Sequence, residues 1–234
     1  LCQNITAMTK HLFISASLLF AALLFTACNR FYKNPDFEAK TQDHRTIALL
    51  PFQIMITGRL PKDLTPENRK KIEEAESVAF QRSFYSQIHI VGARGTRQLS
   101  VIVQPTEKTN QILTDNGIGT VESWDQDPQK LAELLGVDAV VRCKAIKQRY
   151  LSNLESIGVQ VGTTILNSVL GLGYFGWAGR TNDVEVMTNI IDASDGDNLF
   201  SGRDEVSVDW SRPANEAVEQ INRRIARRFP YVNK

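Results

Sequence analysis

Three cysteines, Cys2, Cys28 and Cys143, are the side chains of this sequence best suited to covalent chemistry, and Cys28 has the most telling surroundings. It follows the apolar run Leu12 to Phe25 and the small pair Thr26-Ala27, and the run is preceded by Met8-Thr9-Lys10-His11. A basic start, an apolar middle of about 14 residues and small residues before a cut are the parts of a secretory signal peptide; a bilayer span needs about 20. Cys143 lies in Val140-Val141-Arg142-Cys143-Lys144-Ala145, whose alternation predicts a strand. No base or helix start stands beside it, so it reads as a small buried side chain rather than a reactive thiol. With Cys2 in the leader and Cys28 at the expected processing site, only Cys143 lies within the domain, and no intramolecular disulfide framework is available.

Other motifs are weaker. Gly171-Leu172-Gly173-Tyr174-Phe175-Gly176 matches G-x-G-x-x-G, but Trp177 to Asn182 cannot supply the helix that would bring N–H groups to a pyrophosphate. Asp195-Gly196-Asp197-Asn198 has carboxylates at calcium-loop spacing, yet it is too short for a calcium hand and reads as a hairpin turn. His11 leaves with the signal, and His44 and His89 have no ligand-spaced companions. No G-x-S-x-G, P-loop or CxxC is present. The expectation is therefore no catalytic residues, no cofactor and no metal. A net charge of +1 offers no field for nucleic acid, which is not expected as a partner.

Phe25-Thr26-Ala27-Cys28 resembles the bacterial lipobox, with Phe25 where Leu is usual. The resemblance implies lipid attachment at Cys28 and a bacterial envelope location, read as an outer-membrane lipoprotein facing the periplasm. Translation is expected to start at Met8. The expected division is residues 1-27 as leader and signal peptide, 28-44 as a lipidated tether, and 45-234 as a single α/β domain. At 42% hydrophobic residues a domain of that size can hold itself together by its core.

Arg45 to Phe52 has the profile of a buried strand ending at proline. Thr65-Pro66 starts a helix expected to reach Gln87. A weak strand follows at Leu99 to Val103, and Asn110 to Gly119 reads as polar connection. Asp127-Pro128 starts a second helix that Gly136 stops. Strands are predicted over 137–148, 183–193 and 199–210, the last two joined through Asp195-Gly196. From Pro213, Ala217, Val218, Ile221, Ile225 and Phe229 recur at helical spacing, with Arg223, Arg224, Arg227 and Arg228 on the wet side. That order predicts an α/β fold, a mixed β-sheet packed by helices in a sandwich.

One stretch does not belong to this pattern. Residues 152-182 form an apolar insertion, uncharged from Ser156 to Gly179, and neither the strand nor the helix period settles its conformation. Six glycines and several Thr, Asn and Ser side chains make it a poor membrane helix. Tyr174, Phe175 and Trp177 are the side chains expected at a membrane interface or partner contact, and folding back over its own sheet is the alternative.

The lipobox cysteine, the strand Ile47-Ala48-Leu49-Leu50-Pro51-Phe52 and the unit from Leu131 to Val141 together resemble the envelope lipoproteins related to the curli secretion-channel family. The amino-terminal domain of the Tol translocation protein and the lipoprotein activators of penicillin-binding proteins resemble the same group. The resemblance covers most of residues 45 to 229. It implies a non-enzymatic scaffold or accessory factor for envelope assembly or secretion, held to the membrane through lipid on Cys28. It further implies work through envelope proteins, with homo-oligomerisation left open. The alternative is an oligomeric secretion-channel subunit of the curli type, although the insertion lacks the strict alternation of lipid-facing barrel strands.

Overall fold

The computed structural model describes residues 31–58, 65–149, 182–208 and 214–233. Its centre is a seven-stranded mixed sheet. Strands β6 (Ala139–Arg149), β7 (Asn182–Asp192) and β8 (Asn198–Val208) form an antiparallel meander, each 11 residues long. β2 (Thr46–Leu49) and β3 (Gln53–Gly58) both run parallel to β6, paired as Ile47↔Ala139 and Gln53↔Lys144. Pro51, which has no N–H to give a ladder, stands between them. β5 (Ile102–Val103) extends the sheet beside β2, and β1 (Phe31–Lys33) closes the other side by pairing antiparallel with β8.

Helix α2 (Pro66–Gly92) and helix α5 (Ala214–Ala226) pack together on one face. Ile47, Leu49, Val141, Cys143, Val184 and Ile190 from the sheet meet Phe80, Phe84, Ile88, Ile221 and Ile225 there. The next residues along the same strands, Ala48, Leu50 and Val140, point the other way. They meet Leu113 of α3 (Thr106–Asp115) and Leu131 and Leu135 of α4 (Pro128–Leu135). This two-sided burial follows from the period of two along a strand, and it produces the expected α/β sandwich.

Helix boundaries follow local chemistry. The Thr65 hydroxyl accepts from the Asn68 N–H at 3.2 Å and caps α2, and the Asp127 carboxylate accepts from the Gln129 N–H at 2.9 Å and caps α4. Gly136 ends α4 at φ 65°, a left-handed conformation that glycine adopts without steric cost. Helix α2 runs five residues past Gln87 because Ile88 and Val91 keep its apolar side buried. A Cβ on Gly92 at its end would lie 2.8 Å from Leu99 Cγ, so the close approach of the strand β4 (Gln98–Leu99) requires glycine there.

Two expectations are corrected. Residues 31 to 44 are not a tether: β1 pairs with β8, and the short helix α1 (Phe37–Thr41) buries Phe37 against Tyr231, ring centroids 5.4 Å apart. The fold begins at Phe31, within three residues of Cys28. The stretch read as polar connection, Asn110 to Gly119, is helical as far as Asp115 and belongs to α3, whose buried residues are Thr106, Thr109 and Leu113. Thr109 Oγ1 donates to Gln104 Oε1 at 2.8 Å, and Gln104 Nε2 donates to the Leu135 carbonyl at 3.1 Å, so hydrogen bonds seat this helix where apolar periodicity is weak.

Candidate functional site

Cys28 and the trio Tyr174, Phe175 and Trp177 lie outside the described residues. What the structure places are the points where these segments join the fold. The insertion leaves β6 after Arg149 and returns to β7 at Asn182, and Gln148 and Asp183 are paired neighbours. Its two ends therefore leave the sheet side by side, as the ends of an elongated hairpin loop do.

The start of β1 is tightly made. Phe31 lies opposite Gly202, whose hypothetical Cβ would come 3.2 Å from the Phe31 ring and 3.1 Å from the Phe200 ring. Above Phe31, the Arg228 guanidinium sits 4.4 Å from the ring centroid. Arg228 also donates to the nearly buried Asp204 at 2.5 Å, and Arg224 lies 3.5 Å from the same carboxylate. On α5, Ile221 and Ile225 are buried, Val218 is half-buried, and Arg223, Arg224, Arg227 and Arg228 are exposed, as the spacing predicts.

A second polar cluster joins the two ends of the described fold. His44 Nδ1 and the Tyr231 hydroxyl are 2.8 Å apart, and His44 Nε2 is 3.6 Å from Asp192 Oδ2. The other Asp192 oxygen accepts from the Ser194 N–H and hydroxyl, both at 2.8 Å. Burial, with the nearby Asp192 and Asp138 charges, raises the Tyr231 phenol above its ordinary range. Burial opposes ionisation of Asp138, yet the Thr46 and Arg45 N–H groups and the His44 and Arg45 charges outweigh it, holding that carboxyl below its usual value. His44 meets Tyr231 and Asp192 from segments remote in sequence, and their geometry is that of a structural clamp.

The turn carboxylates are also engaged. Lys40 of α1 binds both Asp195 and Asp197, 155 and 157 residues along the chain, and these contacts raise the lysine and lower Asp195. Gly196 at φ 76° and the Asp195 side chain accepting from the Asp197 N–H complete the hairpin turn. Buried Cys143 packs against Thr188, its thiol pushed up to about 12 by burial. Among the described residues, no group of three or more His, Cys, Asp or Glu side chains is placed to hold a metal ion, and no helix is long and apolar enough to cross a membrane.

The described residues form a mixed-sheet α/β sandwich, with the uncharged insertion falling between the adjacent strands β6 and β7 in sequence. No family model matches the chain, and no curated protein does. Among solved structures it is similar to the lipoprotein GNA1162 from Neisseria meningitidis, with TM-score 0.41, 13% identity, and coverage of 79% of this chain and 98% of that one. It is also similar to the PelC dodecamer from Paraburkholderia phytofirmans, with TM-score 0.40, 9% identity, and 84% and 92% covered. The LpoB C-terminal domain from Salmonella enterica gives TM-score 0.36 and 10% identity, with 74% and 94% covered.

Proposed function

We propose that this chain is a bacterial envelope lipoprotein, anchored by lipid on Cys28 and acting without catalysis as a scaffold or accessory factor for envelope assembly or secretion. The observation that carries the reading is the basic, apolar and small-residue order ending at Phe25-Thr26-Ala27-Cys28. The fold supports it in one further way. Its polar clusters, His44 with Tyr231 and Asp192, and Lys40 with Asp195 and Asp197, hold terminal segments and a turn in place, which suits a protein that works by presenting surfaces. The outer membrane, with the domain in the periplasm, is the proposed location. A pull-down from detergent-solubilised envelope, combined with native mass, tests the scaffold role: stable capture of envelope proteins is expected, and recovery of the chain alone, as a monomer, would contradict it.

The channel-subunit reading is kept alive by the position of the insertion. A segment that leaves and re-enters between paired strands can lengthen both into a membrane hairpin. Ring-sized native mass together with ion conductance would favour that reading over the scaffold.

A further inference from the structure

We propose that the arginine face at the end of α5 docks on an anionic phospholipid surface and holds the domain against the membrane that carries its lipid. This rests on the lipoprotein reading of Cys28 and adds a contact to it. Arg223, Arg224, Arg227 and Arg228 crowd the last turn of α5 and the residues just after it. A helix C-terminus is favoured by nearby cations, but that effect fades within a turn and does not call for four. Their countercharges are few: Asp204 lies beneath Arg224 and Arg228, and Glu219 is 3.9 Å from Arg223. Arg227 makes no ion pair among the described residues. The guanidinium fork of arginine matches phosphate oxygens, so this face complements a lipid headgroup layer.

The position of the face selects the partner. Arg228 stacks on Phe31, and Phe31 comes three residues after Cys28, so roughly 11 Å of extended chain at most separates Phe31 from the cysteine. A bilayer that holds acyl chains on Cys28 is therefore within reach of this face. One lipid signal combined with basic residues is a known route to firm membrane association, each cation adding about 1 kcal/mol near an anionic surface.

The test uses the acylated protein in vesicles, with a nitroxide on Gln220→Cys, an exposed position one turn before Arg224. In phosphatidylcholine–phosphatidylglycerol vesicles the nitroxide should be shielded from a water-soluble nickel complex, and in pure phosphatidylcholine it should be open. Arg224→Gln with Arg227→Gln should lower the docked-to-undocked ratio roughly 30-fold, from about 1 kcal/mol per arginine. Equal exposure in both vesicle types, with fatty acid present on Cys28, overturns the docking and leaves the lipoprotein reading standing. Shielding that appears only when envelope protein is added also overturns it, because the face then serves a protein. Absence of fatty acid from Cys28 overturns both.

Discussion

Gly202 and Phe31 meet across the β1–β8 register so closely that a Cβ on the glycine would press on the Phe31 and Phe200 rings. Gly202→Val should displace the Phe31 ring and with it the Arg228 stack, costing about 1 to 3 kcal/mol in denaturant melts, as overpacking does. An unchanged midpoint would mean that β1 is not docked in solution. The cysteine at the core gives a pH signature. The Cys143 thiol keeps its proton up to about 12, whereas an unfolded chain loses it near 9.0. The fold then binds a proton that the unfolded chain has released, so stability is whole below that lower value and falls as pH rises above it. Cys143→Ala should flatten this alkaline decline without removing it, since the Tyr231 phenol is raised as well. Melts of both proteins across the alkaline range check the sign: a parent that gains stability there contradicts it.

Elements whose ends are set by local chemistry were legible in the sequence. Asp127, Pro128 and Gly136 bracket α4 as they should, and Asp195-Gly196 joins β7 to β8. α3 escaped because Thr106 and Thr109 are buried by hydrogen bonding, which leaves no apolar period to read. β1 and α1 escaped because their partners, Gly202 and Tyr231, lie far along the chain and no local spacing announces them. Of the candidate site, Cys28 is an expectation from its neighbours in sequence and lies outside the described residues, whereas the companions of His44 and the Arg228 stack exist only after folding. For α5 the two faces should respond differently. Ile221 is fully buried, so Ile221→Ala should cost about 2 to 5 kcal/mol through lost transfer energy and a cavity. Arg223→Gln with Arg227→Gln should cost under about 1 kcal/mol, because both guanidinium groups are exposed. Equal effects in paired melts would reverse the assignment of the faces.

At the scale of the whole molecule, a folded sandwich begins almost at the proposed lipid and carries an uncharged segment between two paired strands. Replacing residues 156–179 with a short linker should leave the melt of the domain nearly unchanged, because the strands that flank the segment already pair to their ends. The same deletion should lower oligomer mass or vesicle binding if Tyr174, Phe175 and Trp177 make the contact that their chemistry suggests. Loss of the fold instead would identify the segment as a cover for its own sheet. The central claim is the lipid, since each buried acyl methylene adds about 0.8 kcal/mol and two or more chains anchor a protein stably. The most direct measurement is metabolic labelling with a palmitate analogue in a bacterial host, comparing the parent with Cys28→Ala and reading the label on the purified chain. The account predicts label on the parent and none on Cys28→Ala; equal labelling of the two, or an unlabelled parent, would contradict it.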